Sequence, residues 1–370
     1  DEPRWYDMDS LIFISGLSQM DAIMGNDDKF INDIVRAAKE LKPRFIALVR
    51  TPIPLMTGTD FEGIARVIEK QTQIPVFYFP TSGMHSYVSG AGMALETVAR
   101  ELVLPTNANG HFKENGIEIE NVSNELSVAD TKRQNQQKLK QSEQKQIENT
   151  ESKQSNSKIK INILGATPLD FSVNSTLDSI KEFLSKHFEI ISTFAMGSTI
   201  EEIQKAGDVN LVISSVGFPA AKVLEERFST PYVIGTPVKG FAGIIAEKLI
   251  DAAWTGKSQT AYFSVTSSGK NISRAANGIY IIGESVISQS LKAAMALKQG
   301  IDATVICPLE TEPEYIGENV LLFSSEEEIK AAIAEAKTVI ADPIYKTICA
   351  DETTFIALPH EAFSGRIYRK

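Results

Sequence analysis

The sequence predicts an α/β protein of three Rossmann-like domains, in which parallel sheets are flanked by helices. Short apolar runs rich in β-branched and aromatic residues alternate along the chain with segments whose apolar residues recur at helical spacing. Such alternation is typical of parallel strands joined by crossover helices. One long polar stretch interrupts the alternation and separates the first predicted domain from the other two.

The first predicted domain covers residues 1–104. It opens with the apolar run Leu11-Ile-Phe-Ile-Ser-Gly16, which has the composition of a strand that ends in a glycine turn. The next segment predicts a helix, because its apolar residues recur every three or four positions. In chain order the later elements are a helix at 28–41, a strand at 45–49, a helix at 61–71, a strand at 76–79 and a helix at 92–102.

Residues 105–158 are rich in Asn, Gln, Lys, Ser and Glu, and between 132 and 158 only Leu139 and Ile147 are large apolar side chains. Such a segment has too little apolar surface to offset the entropy of ordering its backbone. We therefore predict a low-complexity insertion that is disordered or loosely helical. The alternative is a partner-binding segment that becomes ordered on contact. His111 lies within it.

Two further Rossmann-like domains are predicted at residues 159–275 and 276–370. Each opens with an apolar strand that ends in glycine, at 159–165 and at 278–283. The second domain continues with a helix around 177–184, a strand at 189–194, a helix from 200, a strand at 210–214, a helix at 220–228 and a strand at 232–234. The third continues with a helix at 285–299, a strand at 303–307, a helix at 325–337 and a strand at 338–341.

Composition narrows the function classes. A chain of 370 residues, 43% of them hydrophobic, can bury a large core. Its formal charge of −10 disfavours nucleic acid as a partner, because neutralising phosphates requires a basic surface. No apolar run approaches the about 20 residues that a membrane helix needs, and the first residues lack a signal-peptide pattern. With two cysteines and no Cys-x-x-Cys pair, we expect a cytoplasmic protein that has no membrane partner.

Candidate ligand-binding residues come from the turns that follow predicted strands and from the last histidine of the chain. In parallel α/β sheets the ligand crevice lies outside the carboxyl ends of the strands. No turn has the GxGxxG or GxxxxGK[ST] pattern, so nicotinamide and ATP sites are unsupported. The glycines have an alternative role, which is to permit tight turns. The candidates are Arg50, Thr51, Ser82, Gly83, His85, Gly165, Thr167, Ser214, Ser215, Thr236, Gly283, Glu284 and His360.

Seven blocks of the sequence resemble consecutive blocks of nitrogenase component 1. They are Asp21–Gly25, Arg50–Asp60, Ile74–Gly83, Ile161–Gly165, Ser192–Ile203, Leu224–Tyr232 and His360–Gly365. Each block is short, but their order covers most of the chain outside the insertion. The chain is therefore similar to a subunit of the nitrogenase component 1 family.

The resemblance implies a nitrogenase component 1-like fold of three Rossmann-like domains. It also implies an oxidoreductase system in which an ATP-dependent iron protein passes electrons through a cysteine-held iron–sulfur cluster to a metallocluster or an organic substrate. A homologous component 1-like subunit, from the same or a different chain, is the first partner that it implies. The ATP-dependent iron protein is the second.

The sequence departs from the family pattern at the cluster ligands. Pro52 stands where the family places a cluster cysteine after Arg50 and Thr51, and no cysteine lies near Ser214, where a cofactor cysteine is expected. Proline offers no side-chain donor to iron. An iron–sulfur cluster is therefore expected only if its ligands come from a partner chain or from a region N-terminal to Asp1. The identity of any cofactor stays open.

His360 resembles the histidine that ligates the nitrogenase cofactor, although its spacing differs and the partner cysteine is missing. It is the one metal-ligand candidate, and we expect it to be an unliganded residue of a surface loop. His85 has a comparable position beside the first-domain crevice. Cys307 and Cys349 have the surroundings of small core residues.

Three hypotheses remain. The chain could be a reductase subunit that shapes a substrate cleft while a partner chain supplies the cluster ligands. It could instead be a cluster-free protein that binds or assembles a tetrapyrrole, a metal chelate or a metallocluster precursor in its interdomain cleft. The third hypothesis is an enzyme of unrelated chemistry on a similar scaffold, because a fold does not fix a function.

Overall fold

The computed structural model describes residues 12–14, 16, 18–52, 58–104, 158–171, 176–194, 196–266, 278–365 and 367. Within these residues, helices flank three parallel sheets of two, five and five strands. The predicted α/β class is therefore confirmed. Apart from Lys158, the predicted insertion lies outside the described residues, and so does His111.

The first sheet pairs β1 (Ile46–Val49) with β2 (Val76–Phe79). The described helices of this part of the chain are α1 (Gln19–Met24), α2 (Asp27–Leu41), α3 (Phe61–Thr72) and α4 (Tyr87–Glu101). The apolar stripes of α2 and α3 bury Ile31, Val35 and Ile68 in one cluster with Leu48 of β1.

The strand predicted at 11–16 is wrong for the residues that the structure describes. Residues 12–14 belong to no strand, and the exposed fractions of Ile12, Phe13 and Ile14 are 57%, 65% and 91%. A strand must pair its backbone with a neighbour, and the two described strands of the first sheet pair only with each other. The described apolar residues of this run therefore lie on the surface.

The second sheet has the strand order β4-β3-β5-β6-β7, with all neighbours parallel. Its strands are β3 (Lys160–Leu164), β4 (Glu189–Thr193), β5 (Val209–Val212), β6 (Tyr232–Ile234) and β7 (Gln259–Thr260). The helices are α5 (Pro168–Phe171), α6 (Thr176–Ser185), α7 (Ile200–Ile203), α8 (Phe218–Phe228), α9 (Ala242–Thr255) and α10 (Phe263–Thr266). The sequence reading did not predict α5, α9, α10 or β7.

Helix α4 joins the first part of the chain to the second sheet. Its Leu95 and Ala99 are buried in the same apolar cluster as the strands of the second sheet. A Cβ atom on Gly92 would lie 3.2 Å from Pro219 Cγ, so glycine permits the close approach of α4 and α8. The helix begins at Tyr87, before the predicted start at 92, and Tyr87 itself packs against the same apolar cluster.

The third sheet has the order β10-β9-β8-β11-β12, again with parallel neighbours. Its strands are β8 (Ile279–Ile282), β9 (Thr304–Cys307), β10 (Val320–Leu322), β11 (Thr338–Ala341) and β12 (Thr354–Ala357). Its helices are α11 (Ser285–Gln299), α12 (Glu326–Ala332) and α13 (Glu361–Ser364).

Three features of the third sheet differ from the prediction. Strands β10 and β12 were not predicted. Both lie at the edges of the sheet and keep exposed positions, among them Leu322 and Ile356. Helix α12 begins as predicted with a capping box between Ser325 and Glu328, but ends at Ala332 rather than at 337. Among the described residues, no helix is both long and apolar enough to cross a membrane.

Candidate functional site

The strand orders identify where a ligand crevice is expected in the second and third sheets. Chain connections reverse direction between β3 and β5 in the second sheet, and between β8 and β11 in the third. At such switch points the two loops that follow the strands diverge and leave a crevice. Thr167 and Ser215 follow the first pair of strands, and Glu284 and Asp342 follow the second pair.

The two switch points are in direct contact. Glu284, at the start of α11, accepts a hydrogen bond from the Ser215 backbone N–H at 2.9 Å and another from the Ser215 hydroxyl. Its second carboxylate oxygen caps α11 by accepting from the N–H of Ile287 at 2.9 Å. Both Glu284 and Ser215 are buried. The carboxyl edges of the two sheets therefore face each other, and we call the region between these edges the crevice.

Asp170 of α5 joins three separate parts of the chain. Its Oδ1 accepts from the hydroxyl of Tyr87 at 2.6 Å and lies 2.9 Å from Nε2 of His360. Its Oδ2 accepts from the hydroxyl of Thr167 at 2.6 Å. The Asp170 side chain is 0% exposed. We call these four residues the Asp170 cluster.

His360 is held on its backbone side as well. Its backbone N–H donates to Oδ2 of Asp342 at 2.7 Å, and the same oxygen accepts from the hydroxyl of Ser364 at 2.8 Å. The His360 side chain is 11% exposed, so the expectation of a surface loop is wrong. The loop before α13 lies in the crevice because Asp170 binds the imidazole of His360 and Asp342 binds its backbone N–H.

Burial changes the acid–base properties of the crevice. Desolvation, followed by the nearby negative charge of Asp170, raises the pKa of Glu284 above its ordinary value. The same two causes, in the same order, raise the pKa of the Tyr87 hydroxyl well above its usual range. The crevice therefore favours neutral Glu284 and neutral Tyr87.

The pH dependence of stability should report the buried Glu284. Because its folded pKa is raised, the folded state binds more protons than the unfolded state once the pH rises past the ordinary value of 4.5. The Glu284 contribution to stability is therefore complete below that value and is lost as pH rises through the folded pKa. We expect urea unfolding from pH 4 upwards to show this loss in the wild type and not in Glu284→Gln.

Glutamine stays neutral at every pH. Its misplaced N–H₂ group, which faces the N–H of Ile287, should therefore change the free energy of unfolding by the same amount at every pH. Parallel stability curves for the two proteins would contradict a raised pKa at Glu284.

The other predicted residues of the second and third sheets lie beneath the crevice, and their hydroxyl groups already form hydrogen bonds within the protein. The hydroxyl of Ser214 donates to the carbonyl of Gly165 at 2.6 Å. Gly165 has a φ of +86°, and a Cβ there would lie 2.8 Å from the Ser214 carbonyl, so only glycine fits. The hydroxyl of Thr236 donates to a backbone carbonyl at 2.8 Å. A Cβ on Gly283 would lie 2.8 Å from the Ser288 hydroxyl. These residues shape the floor of the crevice.

The predicted residues of the first sheet form a separate group. The guanidinium of Arg50 donates through Nε to the carbonyl of Thr81 at 2.9 Å, and the Thr81 hydroxyl returns a bond to the Arg50 carbonyl. Thr51 is exposed. The hydroxyl of Ser82 accepts from the N–H of Met84 at 3.3 Å. These contacts stabilise the loops after β1 and β2, and none of them is with the Asp170 cluster.

His85 connects these loops to the third sheet. Its Nδ1 lies 3.1 Å from Oε1 of Glu310, and Ser86 donates to the other oxygen of that carboxylate at 3.2 Å. His85 and Glu310 are both more than 45% exposed, so this pair contributes little stability. Gly83 has a φ of +68° and allows the turn to pass Pro52, whose Cγ would be 3.1 Å from an added Cβ.

Sequence reasoning missed three residues of the crevice: Tyr87, Asp170 and Asp342. A signal was present for Asp342, which directly follows β11 and so satisfies the rule about strand ends. Thr167 and Asp170 are three residues apart, a spacing at which the two side chains can meet in a turn, as they do here. Tyr87 gave no signal, because its partner lies 83 positions away in the chain.

A surface depression at the end of α3 is lined by Arg66, Glu69, Lys70, Gln73 and Pro75. Pro75 directly precedes β2, which places the depression at the amino ends of the strands. Ligands of parallel α/β sheets bind at the opposite edge. The depression is therefore a weaker candidate than the crevice.

Comparison with known proteins decides the family. The sequence profile described as "Nitrogenase component 1 type Oxidoreductase" matches residues 4–246, which is more than half of the chain. The chain belongs to the nitrogenase component 1 family. No curated protein matches the chain.

Two solved structures of nitrogenase Cp1 are similar to the chain. The structure of "Nitrogenase Cp1 at pH 5" has 16% sequence identity and a TM-score of 0.48, and the match covers 87% of this chain and 59% of that chain. The structure at pH 6.5 has 14% identity and a TM-score of 0.48, with 96% and 68% covered. The chain thus spans less than two thirds of the length of the first of these relatives.

The thiols of this component 1 family member do not fit a cysteine-held cluster. Cys307 is buried, its Sγ donates to the carbonyl of Leu309 at 3.5 Å, and burial raises the pKa of its thiol to about 12. Cys349 is only half-buried, unlike the predicted core residue, and its Sγ donates to the carbonyl of Tyr345 at 3.4 Å. A cluster requires several thiolates, whereas these two groups are held as thiols.

Other donors do not complete a metal site in the described part of the chain. No group of three or more His, Cys, Asp or Glu side chains is placed there to hold a metal ion. Nε2 of His360 already contacts Asp170. Pro52 contributes no donor. The residues that the structure describes therefore do not fit the iron–sulfur cluster that the family resemblance implies.

Proposed function

We propose that the chain is a component 1-type subunit that pairs with a homologous, cysteine-bearing subunit of an oxidoreductase system. In this assembly the partner supplies the cluster ligands and receives electrons from an ATP-dependent iron protein. This chain contributes a wall of the substrate cleft. Family membership and the unsuitability of Cys307 and Cys349 as cluster ligands support this division of roles.

The observation that carries the pairing is an exposed apolar surface before the first sheet. It consists of Ile12, Phe13 and Ile14 together with Met20, Ile23 and Met24, which are 57–91% exposed. Met20, Ile23 and Met24 stand at positions i, i+3 and i+4 of α1 and so form one face of that helix. Several large apolar side chains exposed in one short segment are typical of protein interfaces. The surface lies within the segment that matches the family profile.

The test is coexpression of the chain with a homologous cysteine-bearing subunit and purification without oxygen. We expect a complex in light scattering, with iron, sulfide and a cluster absorption band that the isolated chain lacks. The Ile14→Asp and Ile23→Asp variants should weaken the complex at least tenfold, because each places a charge in the apolar surface.

Leu297→Asp is the matched control, since Leu297 is 47% exposed on α11, outside this surface. Equal binding by all three variants would reject the proposed interface, and the absence of any complex would reject the pairing.

The second candidate is a cluster-free protein that binds a tetrapyrrole, a metal chelate or a metallocluster precursor in the crevice. Its supporting observation is Nδ1 of His360, which is buried and has no hydrogen-bond partner among the described residues. A copurifying colour, or a melting temperature that rises with added haem, would favour this candidate. We propose the cytoplasm as the compartment for either function, because free thiols persist there.

A further inference from the structure

The contact between Glu284 and Ser215 joins the third sheet to the second through one carboxyl group. Ser215 gives both its backbone N–H, at 2.9 Å, and its hydroxyl to the same oxygen of Glu284. The exposed fractions of the two residues are 2% and 3%, so the contact is shielded from water. We call the arrangement in which Glu284 contacts Ser215 the closed state.

Two other contacts between these sheets do not depend on charge. On α11, the hydroxyl of Ser290 accepts from the backbone N–H of Thr236 at 2.9 Å. The hydroxyl of Tyr315 lies 2.9 Å from that of Tyr232, and the Tyr315 ring is buried in the apolar cluster of the second sheet. These contacts can keep the sheets together while the contact at Glu284 opens.

The surroundings of Glu284 contain one negative charge, which is that of Asp170 on α5. On α11 itself, the first charged side chain is that of Lys292, two turns beyond Glu284. The other titratable groups that face Glu284 come from α4, from the residue after β7 and from the end of β9. Burial raises the pKa of each of these groups and so keeps them neutral at neutral pH: Tyr87, Tyr262 and Cys307.

The closed state is more favourable for a neutral Glu284 than for an ionised one. A hydroxyl can donate to a carboxylate or accept from a carboxylic acid, so Ser215 can contact both forms. Desolvation, followed by the charge of Asp170, nevertheless raises the pKa of Glu284 in the closed state. Opening would let water solvate the carboxylate, so ionisation favours the open state over the closed one.

We propose that Glu284 is a proton-dependent latch between the second and third sheets. The neutral carboxyl group holds the contact with Ser215 closed, and its ionisation opens the contact and admits solvent to the crevice. The latch is a property of this chain alone and does not rest on pairing with a second subunit.

The thiol of Cys307 provides a measure of the opening. Cys307 is 1% exposed, and its thiol lies close enough to Glu284 to feel the charge of that carboxylate. We would measure the rate at which a dithiodipyridine reagent labels the isolated chain from pH 4 upwards. The Cys349→Ser substitution leaves Cys307 as the only thiol, because the sequence has two cysteines.

Glu284→Gln, in the same Cys349→Ser background, is the matched reference. The reactivity of the exposed thiol changes with pH equally in both proteins, so the ratio of the two rates reports the latch. We expect the ratio of wild type to Glu284→Gln to rise above the ordinary value of 4.5, by at most about tenfold per pH unit. It should level off once the pH passes the raised pKa of Glu284. A ratio that does not change with pH would overturn the proposal.

Urea separates opening of the latch from unfolding of the whole chain. Local opening exposes little surface, so the labelling rate should depend only weakly on low urea concentrations. A rate that rises with urea as steeply as global unfolding would show that no separate open state exists, and would overturn the latch. If Glu284→Gln does not fold, the labelling rate of the urea-unfolded chain at each pH is the reference, with the same expected rise in the ratio.

Discussion

Asp170→Ala is expected to lower the free energy of unfolding by about 3–5 kcal/mol, the range found when one member of a buried charged or hydrogen-bonded pair is removed. Its side chain is 0% exposed and contacts Tyr87, Thr167 and His360. Alanine leaves these groups buried without their acceptor, and each unsatisfied donor costs about 1–3 kcal/mol. Relaxation of the loops should recover part of that sum. Urea unfolding followed by circular dichroism measures the change.

Asp351→Ala is the control for this experiment, because Asp351 is an exposed carboxylate in a turn of the third sheet. Its effect should stay within about 0.5 kcal/mol, as for most surface substitutions. A loss for Asp170→Ala that is no larger than the loss for Asp351→Ala would show that the Asp170 cluster does not join the three parts of the chain.

The crevice also shows how far the sequence predicts a site. The rule that ligands bind beyond the carboxyl ends of parallel strands selects Ser215, Glu284 and Thr167. In the structure Ser215 contacts Glu284 and Thr167 contacts Asp170. The rule depends only on local pattern, since a strand end is visible as an apolar run followed by glycine or a polar residue. It therefore identifies the edge of the sheet but not the partner of each side chain.

The partners depend on how the sheets are arranged, which is not a local property. His360 and Asp170 are 190 positions apart, and no spacing in the sequence connects them. The burial of His360 follows from that contact, so the expectation of a surface loop was wrong for the same reason. The fold is more predictable, because alternating apolar periods determine most elements. The misses include the edge strands β7, β10 and β12, the helices α5, α9 and α10, and the unpaired run at 12–14.

A second large effect is expected at Tyr315, which lies in the 3₁₀ turn Pro313–Tyr315 between β9 and β10. Although it belongs to the chain of the third sheet, its ring is buried in the apolar cluster of the second sheet, with its centroid 4.3 Å from that of Phe218. Its hydroxyl lies 2.9 Å from the hydroxyl of Tyr232, and its carbonyl accepts from Tyr262 at 2.7 Å. Tyr315 therefore anchors the third sheet to the second.

Tyr315→Ala should lower the free energy of unfolding by about 3–5 kcal/mol, since it leaves a cavity of aromatic size between the two sheets. Tyr315→Phe keeps the ring and loses only the hydroxyl contact with Tyr232, so its cost should be about 1 kcal/mol. Hydrogen exchange followed by mass spectrometry separates two mechanisms. Loss of an anchor predicts faster exchange in β8 to β12 at denaturant concentrations where β3 to β6 remain protected. Equal acceleration in both sheets would mean that they unfold as one unit, and that Tyr315 stabilises this common core rather than a separable contact.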